Sequence, residues 1–140
     1  MDTLYIKNKF VEADPYLNEL RTLTKLNADE YLENFQRTLA GERLFEIISQ
    51  IILDICTHIV ARLEVEKPSN YSDCITTLSK QGILEIEFGK RIAELIKMRN
   101  IIVYRYGKID QSLVFSSLKT IQADFEKYKS SVLSWMKNQG

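Results

Sequence analysis

The sequence predicts an all-α protein, an up-and-down bundle of four to five helices. Five glycines and two prolines in 140 residues leave little material for turns. Strand-like alternation of apolar and polar residues is hard to find, whereas apolar residues recur at three- and four-residue steps. At 45% hydrophobic residues the chain can bury one core, so we expect a single domain over residues 1–140.

The clearest predicted helix runs from about Glu42 to Glu64. Its aliphatic residues recur at helical spacing and form one stripe: Leu44, Ile47, Ile48, Ile51, Ile52, Ile55, Ile59 and Leu63. The segment EKPSNYSD follows the helix and is rich in turn-forming residues. Pro68 cannot continue a helix, so this segment predicts the first long loop.

The N-terminal third predicts one helix and a short turn before the long helix. Residues 4–26 are helical in pattern, and Pro15 predicts either a kink or a helix start at that position. Residues 29–35 are expected to form a short turn that leads to the long helix.

Three helices are expected after the long loop. Ser72 could cap a short helix that ends at Gly82. A second helix is predicted from Leu84 or Glu85 to Val103. The last helix is predicted to start near Asp110 or Ser112.

The cysteine pattern and the termini predict a cytoplasmic protein. Cys56 and Cys74 form no C-x-x-C pair and suggest no disulfide framework, which indicates a reducing compartment. The N-terminal stretch lacks the apolar core of a signal peptide, and polar residues interrupt the longest aliphatic run, so we expect no membrane span. No zinc, Walker or dinucleotide motif appears, so neither a metal nor another cofactor is expected.

The charge balance argues against a protein that holds nucleic acid by bulk charge alone. Lys plus Arg and Asp plus Glu both number 19, so the net charge is zero. The cations are nevertheless concentrated between Lys90 and Lys108, where Glu94 is the one anion and the six cations are Lys90, Arg91, Lys97, Arg99, Arg105 and Lys108. This basic strip, with tyrosines nearby, could hold phosphates and stack a base, although composition alone does not favour that interpretation. The alternative is a solvated helix face with a structural arginine.

Arg99 is the unusual residue of this strip. On a helical wheel it lies inside the apolar arc of its helix, which is formed by Ile92, Leu95, Ile96, Ile102 and Val103. A guanidinium group stays charged, so in a buried position it needs an anion or several acceptors. The sequence leaves three partners open: a carboxylate such as Asp54 or Glu46, a second subunit, or the phosphate of a ligand.

Four other residues have polar or reactive side chains but favour structural roles. His58 follows Asp54 by four residues, so the two share a helix face, and a hydrogen-bonding role is favoured over chemistry. Cys56 is interpreted as a core residue and Cys74 as inert. Glu42 is expected to cap or bridge helices rather than to catalyse a reaction.

The stretch RNIIVYRY, residues 99–106, resembles the R-N-x-x-x-H-x-Y signature of HepT-type proteins in the HEPN superfamily. The likeness extends over nearly the whole chain. GERLFEIISQIILDICTHIVAR resembles the long helix of the family, and NYSDCITTLSKQGIL resembles the short element before its motif helix. GKIDQSLVFSSL resembles the segment that follows the motif.

The resemblance implies a HEPN-like homodimer in which two motif helices form a composite cleft. It implies the toxin of a toxin–antitoxin pair, a metal-independent endoribonuclease that cleaves RNA and leaves a cyclic phosphate. The motif arginine, here Arg99, would steady the phosphate. Asn100 and Tyr106 fill two further motif positions, and with Arg105 and Lys97 they are expected to bind substrate. Tyr106 would also be the target of AMP addition by a nucleotidyltransferase antitoxin.

Tyr104 stands where the signature has histidine. The ordinary pKa of tyrosine is about 10 and that of histidine about 6.5, so an unshifted tyrosine is a poor base at neutral pH. It can still donate a proton or a hydrogen bond. Two functions therefore stay open: an endoribonuclease with Arg99 and Tyr104 as catalytic residues, or a weakened helical dimer that binds RNA, a nucleotide or the antitoxin. A purely structural dimer is the third interpretation.

Overall fold

The computed structural model describes residues 3–104 and 109–139, apart from the side chains of Val103 and Tyr104. These residues form six helices: α1 (Thr3–Thr24), α2 (Ala28–Leu32), α3 (Phe35–Val60), α4 (Tyr71–Lys80), α5 (Ile86–Tyr104) and α6 (Gln111–Gln139). No strand occurs in the described ranges, so the predicted all-α class is confirmed. The sequence predicted four or five helices, and the additional helix is the single-turn α2.

The helix α1 continues through Pro15 without interruption, so the alternative of a helix start at that proline is wrong. Proline removes the amide that would bond to the carbonyl of Val11. Both Pro15 and Val11 are exposed, so water can reach the carbonyl that loses its donor. The predicted turn at residues 29–35 instead contains α2, which begins with a capping box between Asn27 and Glu30.

The long helix α3 begins seven residues before the predicted Glu42 and ends at Val60 rather than Glu64. Residues 35–41 carry no aliphatic stripe, so periodicity could not detect them. The start is set by a cap, because the side chain of Asn34 accepts a hydrogen bond from the Arg37 amide at 3.1 Å. Buried Thr38 and Gly41 show that this first part of the helix is packed.

A different residue from the predicted Ser72 caps α4. Asn70 precedes the helix, and its side-chain oxygen accepts a hydrogen bond from the Asp73 amide at 2.8 Å. The predicted stop at Gly82 is confirmed. Gly82 has a φ of +76°, and the amide of Ile83 bonds back to the carbonyl of Leu78 at 2.9 Å.

The helices α1, α3 and α6 pack against one another, and α4 and α5 pack together on another side of α3. One connected core fills the space between them, and its largest fully buried side chains are Tyr31, Tyr128, Phe10, Phe45, Phe88 and Phe125. The Tyr128 hydroxyl donates a hydrogen bond to the carbonyl of Ile52 at 2.9 Å. The helix α3 is therefore the central element, in contact with every other helix of the described chain.

Cys56 and Cys74 are free thiols in this core, where α3 meets α4. Their sulfur atoms lie 2.8 Å apart, and the Cys56 thiol donates to Cys74. Burial raises the pKa of Cys56, whereas the hydrogen bond from Cys56 lowers the pKa of Cys74. The predicted core position of Cys56 is confirmed.

Within residues 3–104 and 109–139, none of the helices combines the length and apolar character needed to cross a bilayer.

Gly41 offers a test of how tightly α3 packs on α2. A Cβ atom at this position would lie 2.0 Å from the Tyr31 hydroxyl, which is buried and has no hydrogen-bond partner among the described residues. Burial and the charge of Glu42 raise the pKa of Tyr31 to about 12, so the phenol stays neutral. We expect Gly41→Ala to lower the free energy of unfolding by about 1–3 kcal/mol in urea denaturation, because the core has no room for the methyl group.

The matched variant is Tyr31→Phe, which removes the atom that causes the clash. Alone it should change stability little, because the lost hydroxyl makes no hydrogen bond there. Combined with Gly41→Ala it should restore part of the loss. Equal losses in the single Gly41 variant and the double variant would contradict this packing.

Candidate functional site around Arg99

Arg99 projects from α5 toward α3 and is half-buried, inside the apolar arc that the helical wheel predicts. Its Nη2 atom donates a hydrogen bond to Oε1 of Gln50 on α3. The amide nitrogen of Gln50 donates in turn to Oδ1 of Asp54, one helical turn later, at 2.9 Å. Lys9 of α1 donates to Oδ2 of Asp54 at 3.2 Å. Four polar side chains thus form one chain of hydrogen bonds across α5, α3 and α1.

Both oxygens of the Asp54 carboxylate accept hydrogen bonds within this network. One oxygen accepts from Gln50 and the other from Lys9, which also pairs with Glu12 at 3.3 Å. Burial alone would lower the pKa of Lys9, but the hydrogen bonds and charges of Asp54 and Glu12 outweigh it and raise that pKa. The negative charge of Asp54 is therefore shared with a lysine and is separated from Arg99 by a neutral amide.

The guanidinium of Arg99 keeps unused capacity for an anion. Its described hydrogen bond goes to a neutral oxygen, and its Nε atom is buried without a hydrogen-bond partner among the described residues. Of the three partners left open by the sequence, a direct contact with Asp54 or Glu46 does not occur among the described residues. Asp54 is reached through Gln50, and Glu46 pairs with Arg43 at 3.1 Å. A permanent cation whose described partner is neutral is suited to bind a phosphate oxygen through its remaining guanidinium N–H groups.

The described cations of the basic strip do not form one continuous cationic surface. Arg91 turns toward α6, where its Nε and Nη2 atoms bind both oxygens of buried Asp124 at 3.1 and 2.8 Å. Burial slightly opposes the effect, but this hydrogen-bonded carboxylate raises the pKa of Arg91. Lys90 pairs with Glu87 at 3.2 Å, within α5. The pattern of charges in the sequence could not show that these two cations are paired with Asp124 and Glu87.

The structure brings together only some of the predicted site residues. Lys97 is exposed, pairs with Glu94 at 3.1 Å, and lies about 200° around α5 from Arg99. Its part in substrate binding stays a prediction. Tyr104 is the last residue of α5, but its side chain lies outside the described residues, as do Arg105 and Tyr106.

Asn100 is exposed and lines a groove of about 750 Å³. The groove is bounded by the last turn of α3, the segment 61–70 and the start of α4. Asn100 directly follows Arg99, so the same turn of α5 carries the candidate anion site and one wall of the groove. No feature of the sequence pattern indicated this hollow, because it forms where the stretch from Thr57 to Cys74 folds beside Asn100 of α5.

His58 and Glu42 have the structural surroundings that the sequence favoured. The His58 ring stacks on Tyr5 of α1, with ring centres 4.1 Å apart. Glu42 accepts a hydrogen bond from Gln111 at the start of α6 at 2.9 Å, so it bridges two helices. The residues that sequence reasoning missed are Gln50 and Lys9. The one available signal was that Gln50 interrupts the aliphatic run four residues before Asp54.

The different partners of Arg91 and Arg99 predict different costs of substitution. Arg91→Met leaves the buried Asp124 carboxylate without its bidentate partner, and we expect it to lower the free energy of unfolding by about 1–3 kcal/mol. Arg99→Met removes one bond to a neutral amide and fills an apolar arc, so a change within about 1 kcal/mol is expected. Urea denaturation of the two variants measures the difference. A loss at Arg99 as large as that at Arg91 would indicate a structural arginine.

Comparisons with known proteins identify the family of this chain. The family model described as Ribonuclease HepT-like matches residues 13–132. The tRNA nuclease HepT of Aphanizomenon flos-aquae is 31% identical over 136 residues, which cover 97% of this chain and 92% of that protein.

Two solved structures share the fold. YutE from Bacillus subtilis, described as a cytosolic protein of unknown function, has a TM-score of 0.83 at 18% identity, covering 99% of this chain and 93% of that chain. The tri-AMPylated HEPN toxin of Shewanella oneidensis, solved with its MNT antitoxin, has a TM-score of 0.83 at 16% identity, covering 92% and 96%. The match of the family model and the identity to HepT over most of both chains lead to one conclusion: this chain belongs to the HepT-like ribonuclease family.

Proposed function

We propose that this chain is the toxin of a toxin–antitoxin pair and cleaves RNA as a metal-independent endoribonuclease. The observation that carries the proposal is the state of Arg99, a half-buried cation that is bound to the neutral oxygen of Gln50 and has no carboxylate partner among the described residues. Membership of the HepT-like ribonuclease family supports the choice of RNA as the anion. We expect one domain that acts in the cytoplasm.

The proposed active unit is a homodimer in which the two α5 helices meet. A pair of chains would place two copies of Arg99 beside one RNA backbone and would form a cleft that neither chain makes alone. The 2′-oxygen of a ribose attacks the adjacent phosphorus, the bond from phosphorus to the 5′-oxygen breaks, and a 2′,3′-cyclic phosphate forms. Arg99 stabilises the negative charge that accumulates on the phosphoryl oxygens during this step.

Tyr104 is proposed to act on protons in place of the motif histidine. At neutral pH an ordinary tyrosine is protonated, so it is suited to give a proton or a hydrogen bond to the departing 5′-oxygen. The proton of the attacking hydroxyl passes to solvent water. This division of roles requires no general base with a pKa near 7.

The other motif residues are proposed to bind substrate and to receive regulation. Asn100 is exposed next to Arg99 and is suited to contact the nucleotide beside the cleaved bond. Arg105, Tyr106 and Lys97 are proposed to contact the RNA backbone. Tyr106 is also the proposed acceptor of AMP from a nucleotidyltransferase antitoxin, in line with the tri-AMPylated state of the related HEPN toxin bound to MNT.

A second candidate function follows from Tyr104. Without histidine at this position, the dimer would bind RNA, a nucleotide or the antitoxin and would not cleave. The two candidates share the anion site at Arg99 and differ only in the chemistry at position 104.

The first prediction concerns cleavage itself. Purified chain incubated with transfer RNA and EDTA should produce fragments that end in a 2′,3′-cyclic phosphate. Arg99→Ala should lower the rate at least a hundredfold, because an anion-stabilising group of this kind contributes about 10²–10³ in rate. Arg21→Ala is the matched control, since Arg21 is an exposed arginine at the far end of α1 that pairs with Glu126. If the RNA stays intact at high protein concentration, the proposal that the chain is an endoribonuclease is wrong.

The second prediction separates the two candidates. If the chain is an endoribonuclease, the wild type already cleaves RNA. The substitution Tyr104→His should then change the pH dependence of the rate, because it adds a base with an ordinary pKa near 6.5. In the binding module, the same substitution should create cleavage where the wild type shows none. Rates are measured from pH 5 to pH 9, with Tyr104→Phe as the variant that cannot donate a proton. A wild type that cleaves no faster than Tyr104→Phe would contradict a proton-donating tyrosine.

A further inference from the structure

The groove beside Asn100 is concave and its floor is apolar. Its floor and walls include Val60 from the end of α3, and Leu63, Val65 and Pro68 from the segment that follows. The volume of about 750 Å³ lies within the range of about 300–1,000 Å³ that is typical of small-ligand sites. An apolar floor of this kind suits a flat, weakly polar group rather than a charged one.

The polar groups around this floor are those that recognise a nucleobase. Tyr71 is 45% exposed and offers a ring for stacking. Asn100 presents an exposed amide with both donors and an acceptor. Asn70 uses its oxygen to cap α4, which leaves its amide hydrogens as donors. The edge of a base carries matching donors and acceptors.

The charge of the groove fits a ligand that carries phosphate. Among the described residues that line it there is no aspartate or glutamate, and Lys67 is the one cation. Lys67 makes no ion pair within the described part of the chain. A neighbouring hollow of about 430 Å³ differs in this respect, because Glu66 and Asp73 line it and would repel a phosphate.

We propose that the groove holds an unpaired nucleobase of the RNA, next to the phosphate bound at Arg99. The inference rests on the proposed function, because it names the substrate feature that the same site reads. Asn100 lines the groove and directly follows Arg99, so the same turn of α5 contributes to the groove and to the anion site. A base in the groove is out of its helical stack, so the site selects a loop or a frayed end over a continuous duplex.

The test uses a fluorescent six-nucleotide RNA in which every ribose carries a 2′-O-methyl group. This probe has no 2′-hydroxyl nucleophile, so binding is measured by fluorescence anisotropy whether or not the chain cleaves RNA. Tyr71→Leu should weaken binding of the single strand about tenfold, and Tyr71→Phe should bind within about twofold of wild type, because stacking needs only the ring. Annealing the probe to its complement should remove the difference between wild type and Tyr71→Leu.

The matched control is Phe35→Leu, which removes an aromatic ring that is 74% exposed at the opposite end of α3. Equal binding by Tyr71→Leu and Phe35→Leu would overturn the inference. So would a loss in Tyr71→Phe as large as that in Tyr71→Leu, or a change of sedimentation coefficient in Tyr71→Leu, which would assign the groove to a protein interface. If the wild type binds the probe through Tyr71 and still leaves ordinary RNA intact, the nuclease fails and the base site stands.

Discussion

The hydrogen bond between Arg99 and Gln50 is the interaction on which the candidate site depends. A half-buried guanidinium needs acceptors, and the usual solution is a carboxylate that would neutralise it. Here the acceptor is an amide oxygen, which fixes the position of the guanidinium and leaves its charge in place. The carboxylate of Asp54 stands one residue further along the network and is engaged by Lys9. The arrangement orients a cation without cancelling it.

The fold supplies this arrangement through the central position of α3. The same helix face carries Gln50 and Asp54 one turn apart, α5 brings Arg99 to the first, and α1 brings Lys9 to the second. The other described cations of the basic strip are paired with carboxylates. Arg91, for example, fastens α5 to α6 through buried Asp124. One helix therefore carries both an arginine paired with a buried carboxylate and an arginine whose described partner is a neutral amide.

The sequence predicted the helices where an aliphatic stripe was present and missed them where capping decides the structure. Residues 35–41 have no stripe, yet they are helical because Asn34 caps them and Gly41 fits against Tyr31. The apolar arc correctly indicated that Arg99 points inward. The partner could not be predicted, because helix periodicity gives the direction of a side chain but not the residue that faces it on another helix. For the same reason, the count of cations in the strip did not reveal that Arg91 faces Asp124.

The central claim is that Arg99 binds an anion because its protein partner is neutral. The most direct measurement uses the double variant Gln50→Glu/Asp54→Asn. It keeps the net charge and the shape of both side chains, and moves the carboxylate from one step away into contact with Arg99. The new amide at position 54 can still bond to position 50 and to Lys9, so the fold should be retained. If the neutral partner is what leaves Arg99 able to bind an anion, the double variant should bind RNA at least tenfold more weakly, a loss of about 1.4 kcal/mol. Its rate of cleavage should fall in parallel. Binding and cleavage equal to those of the wild type would contradict it.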